Sequence, residues 1–361
     1  MTATAETKRR DELVERLSGA AIGTLELFGV YLGDRLGLYA ALADARALDP
    51  DELAGRAGIA PRYAREWLEQ QAVAGILDVD AAGDGTRRYR LPSGHASVLV
   101  EPESEFYLAP FAALVTAIGG VLPEVAEAYR SGGGVPFGAY GPDMRGGQAA
   151  INRPAFTREM SSWVAAMPDV EARLHSDPPA RVADVGCGVG WSTIALARGY
   201  PKALVEGIDL DQASIEDARR NAAEAGLADA VTFELRDAAD PATKGAYDLA
   251  CIFEALHDTP RPAEVLTALR QMLRDDGSVL IADERVADAF TAPGDEIERM
   301  MYGWSITHCL PAAMVDQPGE PTGTVLREPV VRDLADRAGF GSVEVLPIEN
   351  DFFRFYRLRP T

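Results

Sequence analysis

A glycine-rich turn between an apolar run and a helix-forming run constrains the fold of this chain more than any other feature. Residues 182–191 read Val-Ala-Asp-Val-Gly-Cys-Gly-Val-Gly-Trp, so a strand passes into a helix through Gly186, Gly188 and Gly190. Glycine adopts backbone angles that other residues avoid, and it lets a ligand approach the main chain closely. The helix that follows begins with unpaired N–H groups, which favour negative charge. The turn therefore predicts a ligand site at a strand–helix junction of an α/β fold.

A second predicted strand ends in an acid and narrows the class of ligand. Residues 204–209 form an apolar run that ends at Asp209, about 20 residues after the glycines, as in nucleoside-binding α/β sites. A carboxylate there can accept hydrogen bonds from both ribose hydroxyls. A nicotinamide dinucleotide site would need glycine at position 191 or 193, where this chain has Trp191 and Thr193. The spacing favours a different nucleoside-containing cofactor.

The motifs that follow resemble, in order, those of class I S-adenosylmethionine-dependent methyltransferases. The Asp-x-Gly-x-Gly-x-Gly run at 184–190 resembles the first motif of that family. The resemblance implies an α/β domain with a Rossmann-like, seven-stranded sheet. The other matching segments are residues 231–238 (the strand whose terminal acid meets the adenine amine), 247–254 (the fourth strand), 274–277 (a turn), 278–283 (the fifth strand) and 351–358 (the last strand).

The same resemblance implies a cofactor and the residues that hold it. The cofactor is expected to be S-adenosyl-L-methionine, with S-adenosyl-L-homocysteine as the product. Asp209 is expected at the ribose and Asp237 at the adenine. The full set of implied cofactor-binding residues is Asp184, Gly186, Gly188, Gly190, Asp209, Leu210, Asp237, Ala238 and Phe253.

The first 150 residues carry a different pattern, that of a helix-turn-helix. The Asp-Pro-Asp-Glu run at 49–52 is the start of a capped helix, which Gly58 ends. A second helix is predicted from residue 61, and residues 76–91 predict a small hairpin wing. A winged helix joined to a methyltransferase domain resembles bacterial and plant small-molecule methyltransferases. That resemblance implies that residues 1–150 are a mostly helical dimerisation and lid domain, preceding a methyltransferase domain at 151–361.

Charge argues against a nucleic-acid partner for this winged helix. Its second helix carries Arg62 and Arg65 but also Glu66 and Glu69, so it is neutral where a groove-reading helix is basic. The chain has a formal net charge of −21, which disfavours phosphate backbones and anionic membranes as partners. We expect a homodimer that binds a small molecule and no nucleic acid. DNA contact through the wing arginines is the alternative.

The cysteines, the N-terminal residues and one uncharged segment indicate the cellular compartment of the protein. Cys187, Cys251 and Cys309 lie far apart in the sequence and suggest no disulfide framework, which fits a reducing cytoplasm. The N-terminus lacks the apolar core of a secretory signal. Residues 106–123 are uncharged, but Pro110 and a Gly-Gly pair interrupt them, so we expect a buried helix pair rather than a membrane span.

One histidine has the position of a catalytic base. His257 lies just after the predicted fourth strand, at the carboxyl edge where α/β proteins bind ligands. The Leu-His-Asp run that contains it resembles the general-base segment of plant-type O-methyltransferases, and Asp258 or Glu284 could orient its ring. Residues 259–262 then depart from the family's Trp-Ser-Asp. A structural histidine that caps the next helix is the alternative.

Three further residues are candidates for the acceptor site. Tyr140 lies in a glycine- and proline-rich loop at 131–144, and long ordered loops tend to carry function. Tyr302 and His308 lie in the segment 286–328, where the fold usually places the acceptor pocket; core packing is the alternative reading of that segment. No cluster of His, Cys and Asp shows metal-ligand spacing, so no catalytic metal is expected.

Together these patterns predict methyl transfer from S-adenosylmethionine to a small molecule, at a hydroxyl oxygen. N- or C-methylation is the alternative within the class. Outside it, the alternative is a ligand-sensing regulator that retains the cofactor fold and applies its winged helix to DNA. The intact glycines and Asp209 favour the enzyme.

Overall fold

The computed structural model describes residues 2–43, 46–81, 86–240, 244–316 and 318–360. The chain divides into two compact units. The N-terminal unit comprises Met1–Ala117 and Gly146–Pro154, and the C-terminal unit comprises Ile118–Arg145 and Ala155–Thr361.

The N-terminal unit is a helical domain with a two-stranded wing. Its elements are α1 (Thr2–Arg35), α2 (Leu38–Leu42), α3 (Pro50–Ala57), α4 (Pro61–Val73), β1 (Asp78–Ala81), β2 (Arg87–Arg90) and α5 (Ser93–Leu99), and the long helix α6 (Pro110–Ser131) begins in it.

The helix-turn-helix forms where the sequence predicts it. The amide of Glu52 donates to the Asp49 carboxylate at 2.9 Å, and the Glu52 carboxylate accepts from the amide of Asp49 at 3.0 Å, so both halves of the capping box are present before α3. Gly58 ends α3 with φ at 68°. The strands β1 and β2 pair antiparallel as the wing; residues 82–85 of the predicted wing lie outside the described residues.

The helices of this unit pack around Tyr39 and Trp67. Their rings meet edge to face at 5.1 Å, and the Trp67 indole donates to the Gly29 carbonyl of α1 at 2.9 Å. A Cβ added at Gly33 would stand 2.4 Å from the Tyr39 ring. Helix α1 can therefore pack this closely against Tyr39 only with glycine at position 33. Elsewhere on α1, large apolar side chains are exposed: Leu13, Val14, Leu17, Ile22, Leu25 and Leu32.

The helix α6 differs from its prediction. The expected helix pair at 106–123 is one continuous helix that includes Pro123. Among the described residues it is long and apolar enough, by length and composition, to cross a membrane, and 33% of its most apolar window is buried within the protein.

The C-terminal unit is built on a seven-stranded, mostly parallel sheet, which confirms the predicted fold class. The strands lie in the order β5-β4-β3-β6-β7-β9-β8, and β9 runs antiparallel to β7 and β8, which flank it. They are β3 (Arg181–Val185), β4 (Leu204–Asp209), β5 (Val231–Leu235), β6 (Tyr247–Phe253), β7 (Leu273–Glu284), β8 (Ser342–Val345) and β9 (Phe353–Arg359).

Helices cover both faces of this sheet because its central strands are apolar on both sides. Along β6, Leu249 and Cys251 belong to one core cluster, whereas Ala250 and Ile252 belong to the other. A doubly covered parallel sheet requires such continuous apolar runs. The helices are α7 (Gly141–Ala165), α8 (Pro168–Leu174), α9 (Trp191–Gly199), α10 (Gln212–Glu224), α11 (Pro262–Met272), α12 (Glu296–Trp304), α13 (Leu310–Ala313) and α14 (Glu328–Arg337), with a 3₁₀ turn at Phe137–Tyr140 and a π-helix at Ser305–Cys309.

Two segments of this unit differ from the sequence-based expectation. The predicted turn at 274–277 lies within β7, as an irregular stretch where the register passes from Tyr247 opposite Leu273 to Leu249 opposite Ser278. The edge strand β8 has no counterpart among the predicted segments, because its four residues are mostly exposed and carry no apolar run.

Candidate functional site

The glycine turn joins β3 to α9, and each of its glycines has positive φ. The values are 71° at Gly186, 51° at Gly188 and 85° at Gly190. A Cβ at Gly186 would stand 2.6 Å from the Ala255 side chain, and one at Gly190 would stand 2.9 Å from the Phe233 ring. At Gly188 a Cβ would meet nothing within 4 Å. The outer two glycines are therefore required by packing, and the backbone at Gly188 borders open space that a ligand can occupy.

Asp209 secures this turn from the end of the adjacent strand. One carboxylate oxygen accepts the Gly188 amide at 2.8 Å, and the other accepts the Asp211 amide at 2.8 Å. Burial raises the pKa of Asp209, although these backbone donors oppose the shift. Each oxygen keeps a further lone pair, as hydrogen bonds to two ribose hydroxyls would require. Leu210 follows as an exposed apolar side chain.

Asp184 lies beneath the turn rather than at its surface. It is 1% exposed and accepts hydrogen bonds from the hydroxyls of Ser192 and Thr193, both at 2.6 Å. It thus attaches the first turn of α9 to β3. Burial raises its pKa to about 6.

That raised pKa predicts a pH-dependent stability difference between the wild type and Asp184→Asn. A carboxyl whose pKa is higher in the folded than in the unfolded chain stabilises the fold at low pH, and this contribution is lost as the pH rises from about 4 to about 6. Relative to the variant, the wild type should lose about 3 kcal/mol of unfolding free energy across that interval. Urea titrations at several pH values measure it, and a difference that does not change with pH would contradict it.

The other predicted cofactor residues lie at neighbouring strand ends. Asp237 follows β5 and accepts the Ala239 amide at 2.8 Å, and the partly buried Ala238 lies between them. The Arg236 amide donates to the Asp209 carbonyl at 2.9 Å, which joins the ends of β5 and β4. Phe253, at the end of β6, is in the core, where its ring lies 5.9 Å from those of Phe156 and Trp163.

His257 lies in a cluster of carboxylates beyond β6. Its Nδ1 is 3.0 Å from Asp283 Oδ1 and 3.1 Å from Glu284 Oε2, and its Nε2 is 3.3 Å from Asp258 Oδ1. The ring is buried, with 3% of the side chain exposed. The sequence predicts Asp258 and Glu284 as neighbours of this ring, whereas it predicts Asp283 only as the end of a strand.

Charge and burial act in opposite directions on this cluster. Burial lowers the pKa of His257, but Glu284, Asp283 and Asp258 together raise it well above its ordinary value. Burial also works against ionisation of Asp283, yet the neighbouring imidazolium lowers its pKa. Burial raises the pKa of Glu284 well above its usual range. The carboxylates thus stabilise the charged form of the His257 ring, and burial favours the neutral form of Glu284.

Two of the three predicted acceptor residues meet in the structure. The Tyr140 hydroxyl donates to the Thr307 carbonyl at 2.9 Å, and its ring lies edge-on to that of His308 at 4.6 Å. Phe137, the other aromatic residue of the same loop, flanks the same histidine at 5.8 Å. His308 is buried, its Nε2 has no hydrogen-bond partner, and burial lowers its pKa.

The third predicted acceptor residue, Tyr302, belongs to a different group of side chains. Its hydroxyl lies 3.3 Å from Arg327, whose guanidinium also pairs at 2.5 Å with Glu298. Glu298 is 3% exposed, and Arg327 also donates to the Ala289 carbonyl at 3.0 Å. Arg327 thus ties together the two ends of the segment 286–328.

Comparisons with known proteins agree with this geometry. Residues 176–316 match a family model described as a methyltransferase domain, and residues 24–101 match a model described as an Rv2258c-like winged HTH domain. A trans-aconitate 2-methyltransferase of Methylobacterium nodulans is 30% identical over 135 residues, which are 37% of this chain and 49% of that protein. The chain thus spans about half the length of this curated relative.

Solved structures share the fold along nearly the whole chain. The mitomycin 7-O-methyltransferase MmcR has a TM-score of 0.73 at 18% identity, covering 98% of this chain and 100% of that one. Human N-acetylserotonin methyltransferase, solved with S-adenosylmethionine, has a TM-score of 0.71 at 17% identity, covering 96% and 97%. The chain therefore carries a methyltransferase domain at residues 176–316 and a winged helix-turn-helix domain at residues 24–101, and it shares the fold of these solved methyltransferases.

Proposed function

We propose that this protein transfers a methyl group from S-adenosylmethionine to a hydroxyl oxygen of a small molecule. The observation that carries the proposal is the turn at Gly188, which borders open space while Asp209 holds its amide. A nucleoside with two free ribose hydroxyls fits this arrangement, because Asp209 offers acceptors and the turn has no side chain in the way. The residues that would hold the cofactor are Gly186, Gly188, Gly190, Asp209, Leu210, Asp237 and Ala238. Asp184 would support the turn from beneath, and Phe253 packs in the core behind it.

Bound S-adenosylmethionine supplies an activated methyl group on a sulfonium. The protein then has to place the acceptor in line with that methyl, and such positioning can contribute about 7–11 kcal/mol to lowering a barrier. We assign the acceptor side to Tyr140, His308 and Tyr302. The names of mitomycin 7-O-methyltransferase and of the ubiquinone biosynthesis O-methyltransferase of Neisseria meningitidis, which is 34% identical over 105 residues, specify oxygen and support a hydroxyl acceptor here.

A hydroxyl must also lose its proton, and we assign that step to His257. The ring lies at the carboxyl edge of the sheet, next to Ala255, which packs against Gly186 of the cofactor turn. Asp283 and Glu284 hold its Nδ1 side, so Nε2 is the atom left to receive the proton, beside Asp258. The carboxylates stabilise the imidazolium that forms.

The cofactor assignment predicts a binding defect in Asp209→Ala. We expect wild-type protein to bind S-adenosylhomocysteine with micromolar affinity and the variant to lose about 1–3 kcal/mol, because the ribose hydroxyls lose their acceptor. Isothermal titration calorimetry measures both. Asp237→Ala is a matched control at the neighbouring strand end, expected to weaken binding less because Asp237 is half exposed. Heat of binding with NAD, but none with S-adenosylmethionine or S-adenosylhomocysteine, would refute the proposal.

We further propose that the protein is a cytoplasmic homodimer and that residues 1–150 supply the dimer contact. The exposed apolar side chains of α1 support this role, since a large exposed apolar surface is typical of a protein–protein interface. The wing arginines pair with acids: Arg87 with Glu69 at 2.5 Å and Arg90 with Asp78 at 2.7 Å. These ion pairs neutralise the arginine charges that would otherwise attract the phosphates of DNA.

This proposal predicts a dimer by light scattering and no binding to duplex DNA at physiological salt, because the chain is strongly acidic. Light scattering and a gel shift with random duplex fragments measure the two properties. A sequence-specific shift at nanomolar protein would favour the regulator instead.

A further inference from the structure

The guanidinium of Arg261 faces three carboxylates that come from three parts of the C-terminal unit. Its Nη1 donates to Asp316 at 2.5 Å, its Nε lies 3.0 Å from a Glu264 oxygen, and its Nη2 lies 3.9 Å from Asp237 Oδ2. Arg261 immediately precedes α11, Glu264 lies in the first turn of that helix, and Asp237 follows β5. One cation therefore serves three acids, and one of these acids is a residue that we assign to the cofactor.

Two of these contacts hold the guanidinium, whereas the third leaves room for a ligand. Asp316 and Glu264 take the close contacts, and 31% of the Arg261 side chain is exposed. A separation of 3.9 Å is too long for a hydrogen bond, so Asp237 Oδ2 can still accept a hydrogen from a bound molecule. The other oxygen, Oδ1, accepts the Ala239 amide at 2.8 Å. Asp237 is thus oriented from two sides and keeps one oxygen open.

A nucleobase would meet this open oxygen if its ribose lies at Asp209. The strands β4 and β5 are neighbours, and the Arg236 amide donates to the Asp209 carbonyl at 2.9 Å, so Asp237 stands beside the ribose acid. An ionised carboxylate can only accept hydrogen bonds. The exocyclic amine of adenine is a donor and suits it. A base with no donor at that position would leave the oxygen unpaired.

We propose that Arg261 is a positioning residue that holds Asp237 to accept the exocyclic amine of adenine, so that the protein selects adenine at this position. The inference rests on the proposed function, because it takes Asp237 as a cofactor residue. The guanidinium attracts the carboxylate and limits its orientation, so less freedom is lost when the amine binds.

The alternative is that Arg261 only fastens the segment 286–328 to the start of α11. Asp316 belongs to that segment, and the Glu320 amide donates to the Pro260 carbonyl at 2.9 Å. The two roles differ in what they do to a ligand. Loss of a fastening would lower the affinity for every nucleoside analogue alike, whereas loss of a positioning residue would act on the amine.

The test uses full-length protein, calorimetry and two ligands: S-adenosylhomocysteine and its purine analogue, in which hydrogen replaces the exocyclic amine. Wild-type protein should bind S-adenosylhomocysteine about 10–100-fold more tightly, the effect of one hydrogen bond to a charged group. Arg261→Gln should reduce this ratio by a factor of about 3–5, as expected for a partly exposed ion pair. Arg337→Gln is the matched control and should keep the wild-type ratio, because the acids that Arg337 pairs with are Glu320 and Asp333.

A double variant assigns the effect to Asp237. In Asp237→Ala the ratio should fall close to one, and adding Arg261→Gln should not change it further, because the residue through which Arg261 acts is gone. An unchanged ratio in Arg261→Gln, equal wild-type affinities for the two ligands, or an effect of Arg261→Gln that persists without Asp237 would overturn the inference and leave the methyl donor unaffected. Wild-type protein that binds neither ligand would instead refute the proposed function.

Discussion

Replacing His257 by alanine is expected to reduce methyl transfer by a factor on the order of 10²–10⁴ while leaving affinity for S-adenosylhomocysteine nearly unchanged. The reason is that the acceptor hydroxyl loses its proton acceptor, whereas the glycine turn and Asp209 stay intact. Turnover is measured with an acceptor found by screening a metabolite panel for thermal shifts in the presence of S-adenosylhomocysteine. Binding is measured by calorimetry on the same samples.

A second histidine of the same unit provides the control for that experiment. His175 ends α8 and packs against the Tyr200 ring at 5.1 Å. His175→Ala should therefore retain turnover apart from effects of stability. If His257→Ala also keeps most of its turnover, His257 is structural, and transfer by proximity alone to an already nucleophilic nitrogen or carbon becomes the better account.

The largest loss of stability is expected from Arg327→Ala. Removing this guanidinium leaves the Glu298 carboxylate buried without its cation, which typically costs about 3–5 kcal/mol of unfolding free energy. For a unit of this size the melting temperature should fall by on the order of 10 °C. Calorimetric melting measures the change.

The double variant Arg327→Ala, Glu298→Gln separates charge from packing. Glutamine keeps the shape of the buried side chain without its charge, so the double variant should recover much of the loss. If the double variant melts no higher than the single one, Arg327 stabilises the fold through its contacts with Ala289 and neighbouring carbonyls and not through its pairing with Glu298.

Local pattern was enough to predict the α/β unit and the position of its ligand turn. Positive φ at Gly186, Gly188 and Gly190 is a property of a few consecutive residues, as is the capping box at Asp49 and Glu52. The strands β3, β4 and β6 are mostly apolar, so their existence follows from local composition. The edge strand β8 escaped prediction because a half-exposed strand has no such run.

The order of the strands, by contrast, exists only in the folded chain and decides which side chains meet. Sequence determined that His257 follows β6, that Asp209 ends β4 and that glycines form the turn, since each depends on residues close along the chain. Only the tertiary structure placed the end of β7 beside β6, which brings both Asp283 and Glu284 to His257. Likewise it brought Tyr140 to His308, 167 residues from the carbonyl that its hydroxyl contacts. Partners of buried polar groups are selected by packing between distant segments, and no short-range pattern encodes that choice.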